Sequence, residues 1–188
     1  MTYLEKSHYR KEDPIGSFIF AWISFNHYYS TFACEDATQF KNWSRKYCGG
    51  RRGDKAELLY LVHSDDFADT FADFKSRYPE RLSPLIELPI VDALGGSRVP
   101  KNVKGTQKLS DLSNVDLFEV TYQIRNNLFH GSKDPVKSRR DLVLCETASG
   151  FMVPLVAFLL TNTYGEVLNA YDDPEKQLRE EVKKLIET

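Results

Sequence analysis

Cysteine is scarce in this chain, with only Cys34, Cys48 and Cys145, an odd number with no close pairing. That excludes the even disulfide framework of a small secreted domain and fits a reduced, intracellular protein. Proline and glycine are also modest, at 8 and 10 of 188 residues, which excludes collagen-like and low-complexity chains. Neither sign of charge dominates. The 25 Lys and Arg against 27 Asp and Glu leave a net charge of -2. Bulk electrostatic coating of nucleic acid is therefore not expected, although a local basic site is compatible with that balance. The longest apolar run, residues 151–160, is about half of the roughly 20 residues a membrane span needs. Residues 1–14 are polar and charged, with no apolar stretch behind a basic start, so no signal peptide and no membrane association are expected. His8, His27, His63 and His130 are scattered, and no pair of Cys or His has zinc-ligand spacing, so neither a metal nor a cofactor is expected. No Ser or Cys nucleophile motif is present either. The expected location is the cytoplasm.

What the chain does have is helical periodicity and aromatic bulk. Phe and Tyr number 12 and 10, enough to build a core from large side chains. One domain suits the length, and no internal repeat is present. Residues 14–33 predict a central helix. Asp13 can cap it, Pro14 suits its first position, and Ile15, Phe18, Ile19, Trp22, Ile23, Phe25, Tyr29 and Phe32 run nearly all round it. Shorter helices are predicted over residues 36–47, 54–63 and 66–77. Gly49, Gly50 and Gly53 flank Arg51 and Arg52 between the first two of these, which reads as a tight turn more than as a phosphate cradle, because no Lys-Ser/Thr ending follows. From 79 to 106 the prolines at 84, 89 and 100 and the Gly95-Gly96 pair predict loop with short elements at most.

A further helix is predicted over residues 114–130, with Ser113 and Asp116 at capping-box spacing and Gly131 where a left-handed cap belongs. Another should start near Pro135 and run to about 163, kinked around Gly150 and Pro154. Residues 174–187 form an amphipathic pattern with Leu178, Val182 and Leu185 on one stripe. The expected fold class is all-α, a helical bundle with one long, irregular basic loop.

The chemistry concentrates in Arg125-Asn126-Asn127-Leu128-Phe129-His130-Gly131. On a helix, Arg125 is neighboured by Phe118, Thr121, Tyr122, Leu128 and Phe129. A charge within a mostly apolar arc needs a partner. Three are open: a carboxylate of the same chain, a second subunit, or a bound phosphate, to which the planar guanidinium is well matched. Asn126 and His130 share a face. Arg125 and His130 are about 140° and roughly 7.5 Å apart along the axis, so they converge only past the helix end or across a symmetric interface. A purely structural role fits the same spacing, since cations in a last helical turn meet the dipole and glycine commonly follows.

This segment resembles the Arg-x4-6-His signature of the HEPN family of metal-independent ribonucleases, with Asn126 as the polar residue after the arginine. The resemblance extends to Tyr122-Gln-Ile-Arg-Asn-Asn-Leu-Phe-His-Gly131, to Arg140-Asp141-Leu142-Val143 beyond a polar turn, and to the aromatic helix with Phe18, Trp22, Phe25, Asn26 and Tyr29. It covers roughly residues 14–33 and 114–163. Residues 34–112 match nothing in the pattern and read as a family-specific insertion within one domain. The resemblance implies a homodimer in which two copies of Arg125 and His130 line one cleft, and RNA cleavage without metal. His130 would be the general base or acid, Arg125 would stabilise phosphate charge, and Asn126 would orient His130 or a phosphate oxygen. Toxin, phage-defence and RNA-processing settings, with an antitoxin or another regulatory partner, come with the family.

Beside that segment, residues 95–109 carry Arg98, Lys101, Lys104 and Lys108 and no acid. They are candidate contacts to an RNA backbone. Asn26, within its aromatic helix, reads as a hydrogen-bonded core residue. The three cysteines read as small packed hydrophobes. Two alternatives to the enzyme stand: a non-catalytic HEPN-like module that binds RNA or a nucleotide, and a helical interaction domain in which Arg125 is a structural ion-pair partner.

Overall fold

Asp13 accepts a hydrogen bond from the Gly16 N–H at 2.9 Å, and Pro14 opens helix α1 (Pro14–Glu35) behind it. The computed structural model describes residues 13–91, 96–129 and 138–170, with 164–170 described for their backbone only. Its described residues are mostly helical. After α1 come α2 (Ala37–Tyr47), α3 (Asp54–Val62), α4 (Asp65–Arg77), α5 (Asn114–Phe129) and α6 (Arg139–Ala170), so the all-α class holds.

Local chemistry sets most of the boundaries. Asp36 caps α2, and the Ser64 side chain accepts the Phe67 N–H at 3.3 Å to start α4. Gly49 and Gly50 turn the chain between α2 and α3 at φ 62° and 79°, a left-handed geometry that glycine adopts without a steric penalty. The Ser44 hydroxyl closes that turn by donating to the Arg51 carbonyl. This is the tight turn predicted from the glycines.

The 79–106 segment carries more order than a loop. β1 (Leu85–Leu88) pairs antiparallel with β4 (Gly105–Lys108), and β2 (Ile90–Val91) pairs antiparallel with β3 (Arg98–Val99). The alternation of exposed and buried residues along β1 marks a half-buried strand. Arg98 and Lys108 thus sit on short strands, and Lys101 and Lys104 lie in the connection between them, which corrects the expectation of an irregular basic loop.

α6 also departs from expectation at its start. It begins at Arg139, where Ser138 caps it by accepting the Asp141 N–H at 3.3 Å, and not near residue 135. It runs without a break through Gly150 and Pro154. Gly131, Pro135 and the amphipathic pattern at 174–187 lie outside the described residues. The Arg139–Thr163 stretch of α6 is long and apolar enough to cross a membrane by length and composition, with a mean hydropathy of 1.9 in its most apolar window, of which 61% is buried within the protein. α1 lies along it and covers much of that surface.

The core is aromatic. Phe118 of α5 stacks on Phe25 of α1 with ring centres 5.4 Å apart and meets Phe67 and Phe71 of α4 edge-on, each at 5.3 Å. Phe74 continues the row to Phe158 of α6 at 5.6 Å. Such pairs add to the burial of their own area. They lock α1, α4, α5 and α6 around one centre and so fix where the end of α5 lies. Of the cysteines, only Cys145 is fully packed. Cys48 is half-buried and Cys34 is exposed, which corrects the expectation that all three are packed hydrophobes.

Candidate functional site at the end of α5

α5 starts with reciprocal Ser113 and Asp116 contacts. The Asp116 N–H donates to Ser113 Oγ at 3.1 Å, and that hydroxyl donates to Asp116 Oδ2 at 2.7 Å. Near its other end, buried Gln123 donates to Asn127 Oδ1 at 3.0 Å, and Asn127 Nδ2 donates to the Val91 carbonyl at 2.9 Å. The end of the helix is thereby anchored to β2. On another side, Lys55 of α3 pairs with Glu119 at 2.7 Å.

Arg125 faces α1 and α3. Its guanidinium lies over the Phe129 ring, 4.6 Å from the centre, with Tyr122 at 6.0 Å. Nη1 donates to Asn126 Oδ1 at 2.8 Å and lies 3.7 Å from Asp54 Oδ2, which is ion-pair range but longer than a hydrogen bond. Nε is buried and has no hydrogen-bond partner among the described residues. A quarter of the side chain (25%) is exposed, so the guanidinium is neither sealed in the core nor fully saturated.

Asp54 belongs to a wider polar cluster. Its Oδ1 accepts from the Tyr29 hydroxyl and, at 2.6 Å, from Asn26 Nδ2, while Asn26 also donates to the Tyr29 oxygen. Burial pushes the Tyr29 phenol well above its ordinary pKa, and the Asp54 carboxylate pushes the same way. Tyr122 is raised too, by burial first and by the Asp54 charge second. Both phenols are therefore donors at neutral pH and not bases. On the Asn127 side of α5, the Cys145 thiol of α6 is pushed up to about 12 by burial and then by Asp141, Glu146 and Asp13. At neutral pH it has almost no thiolate with which to act as a nucleophile.

The chain matches no known protein family, no curated protein and no solved structure. The chemistry of the site is therefore read from its own geometry.

The structure brings Arg125 and Asn126 together, with the Asn126 carbonyl facing the guanidinium. His130 lies outside the described residues. Arg98, Lys101, Lys104 and Lys108 are all exposed; Arg98 lies on β3, which packs against α5, and Lys108 on β4, which pairs with β1. Asn127 turns toward β2 while Arg125, two residues earlier and so about 200° away, turns toward α3. No group of three or more His, Cys, Asp or Glu side chains among the described residues is arranged to hold a metal ion.

Sequence reasoning missed Asp54 and Tyr29. In the sequence Tyr29 reads as one more aromatic of α1, and residue 54 only marks the start of a predicted helix. Asn26, read as a hydrogen-bonded core residue, does hydrogen-bond, but at the polar edge of the core and within this cluster. The one signal in the sequence was that Asn26 and Tyr29 are three apart and share a helix face.

Proposed function

We propose that the chain is a HEPN-like, metal-independent endoribonuclease that acts as a homodimer in the cytoplasm. In this reading the 2′-hydroxyl of RNA attacks the adjacent phosphorus, the O2′–P bond forms, and the P–O5′ bond breaks. The products are a 2′,3′-cyclic phosphate and a 5′-hydroxyl. His130 takes the hydroxyl proton, and a dimer supplies a second imidazole to protonate the leaving 5′-oxygen. Arg125 meets the added negative charge on the phosphate, the task that fixed cations perform in phosphoryl chemistry. Asn126 holds the guanidinium in place. Arg98, Lys101, Lys104 and Lys108 contact the RNA backbone. An antitoxin or other regulatory partner would act on this same cleft.

The observation that supports the reading is Arg125 itself: a partly exposed guanidinium whose carboxylate neighbour lies beyond hydrogen-bond range, at the end of the helix that carries the motif. A phosphate would meet the exposed quarter of that side chain. Purified protein is expected to cut single-stranded RNA in the presence of a chelator. Arg125→Ala and His130→Ala should each slow cleavage by about 100-fold or more, the usual effect of removing one transition-state donor. Two variants that both cleave at the wild-type rate would rule out this enzyme.

A second reading is favoured by the Asp54 contact. There Arg125 is a structural ion-pair partner in a non-catalytic module that binds RNA or a nucleotide, or in a protein-interaction domain. It predicts that Arg125→Ala lowers the melting temperature while no RNA is cut by either protein.

A further inference from the structure

The geometry points to Asp54 as the residue that positions Arg125, a fixed counter-ion that keeps the guanidinium oriented while leaving its exposed part for a phosphate. The inference rests on the ribonuclease reading and adds to it a residue from the 34–112 segment, which lies outside the family resemblance.

Asp54 is the first residue of α3, and its helix cap is Gly53, which offers no side chain. The simplest role for an acid at that position is to complement the helix dipole. That role does not require the carboxylate to be aimed anywhere. Here it is aimed. Two donors from α1, the Tyr29 hydroxyl and Asn26 Nδ2, both converge on Oδ1. The plane of the carboxylate is thereby set and the second oxygen is turned toward Arg125. Tyr29 is fully buried and held by Trp22 and Phe25 at ring separations of 6.2 and 5.4 Å, so its hydroxyl is a rigid donor.

The 3.7 Å gap between Asp54 Oδ2 and Arg125 Nη1 matters. It attracts the guanidinium without consuming a hydrogen-bond donor, in contrast to a bidentate pair, which would occupy the face a phosphate needs. Asn126 takes Nη1, the Phe129 ring lies against the flat face, and Nε is buried. The guanidinium is therefore held on several sides, while a quarter of the side chain stays open to solvent. Preorganisation of this kind lowers the reorganisation needed at the moment of reaction. It also makes a specific demand on kinetics. The Asp54 charge repels the RNA phosphate in the ground state, so its removal should ease binding while it slows the chemical step.

The test uses the full chain and a fluorescent single-stranded RNA of defined sequence. Asp54→Asn keeps the size and an acceptor for Tyr29 but loses the charge. It should lower kcat by about tenfold to a hundredfold, as a small misplacement of a transition-state group does, with KM unchanged or lower. Asp54→Glu, which restores the charge, should recover part of kcat. Tyr29→Phe provides a second handle. It leaves the charge and removes one orienting donor, and should lower kcat less than Asp54→Asn does. If Asp54→Asn keeps kcat within about twofold of wild type while Arg125→Ala is inactive, Asp54 does not position the arginine. If kcat and KM both worsen together with a lower melting temperature, and Asp54→Glu restores nothing, the role is structural and the inference is wrong. Wild-type cleavage by Arg125→Ala is a different failure, one that takes down the ribonuclease reading as well.

Discussion

At the scale of single residues, the environment of a side chain decides its chemistry more than its type does. Cys34 and Cys145 are both thiols, yet one is exposed and the other has no exposed surface. The Cys145 pKa rises from 9.0 to about 12, mainly through desolvation and then through the nearby acids. The sign of the stability effect follows. The unfolded chain loses this proton near pH 9 while the folded chain keeps it to about 12, so the contribution is fully present below pH 9 and drains away as pH climbs toward 12. Iodoacetamide at pH 8, followed by mass spectrometry, should modify Cys34 rapidly and leave Cys145 untouched until the protein unfolds. Early labelling of Cys145 would mean that the start of α6 opens without global unfolding. Arg125 shows the same principle from the other side. Its type and its apolar neighbours were plain in the sequence, but its counter-ion was not, because Asp54 is distant in the chain and reaches it only once α3 lies beside α5.

At the scale of elements, helices were legible where periodicity and a cap agreed. Asp13, Asp36, Ser64 and Ser113 each sit at or beside a predicted start, and α1, α2, α4 and α5 begin directly after them. α6 was misplaced because Pro135 is a strong N-terminal signal and Ser138, the actual cap, is a weaker one. The strand pairs were hidden for a different reason. Each strand is two to four residues long, too short to show a period, and its pairing is set by partners across the ribbon. One side chain ties this ribbon to the motif helix. Asn127 spans Gln123 on its own helix and the Val91 carbonyl on β2. Asn127→Ala would leave both of those groups short of a partner, at a cost of about 1–3 kcal/mol for each that stays buried and unsatisfied. Urea unfolding should show the destabilisation in the midpoint. Hydrogen exchange should show it first at β2 and at the last turn of α5. An unchanged midpoint would mean that the ribbon is held without this residue.

At the scale of the whole molecule, two charged regions lie on different sides of α5, and a balanced net charge conceals both. The cation at Arg125 is embedded between α1 and α3, while Arg98, Lys101, Lys104 and Lys108 stand in solvent on the ribbon. Their physical roles should separate cleanly. Exposed cations bind a phosphate backbone by releasing counter-ions, a sequence-independent effect that salt weakens. In the proposed ribonuclease, a half-buried, preorganised cation would act on the reacting phosphate, where salt screens much less. Replacing the four ribbon cations with glutamine should therefore weaken binding of single-stranded RNA and flatten the dependence of log affinity on log salt, by about 0.7 for each phosphate that is no longer neutralised. Cleavage at saturating RNA should stay near the wild-type rate, because the chemistry at α5 is untouched. Arg125→Ala should do the reverse, with the salt slope nearly intact and the cleavage rate abolished. Fluorescence anisotropy between 50 and about 200 mM salt is the decisive measurement, since that range alone spans several orders of affinity for a protein that neutralises many phosphates. A slope that ignores the four substitutions would place the RNA path elsewhere on the surface. The ribbon would then be only a support for the end of α5, held there by its packing and by Asn127.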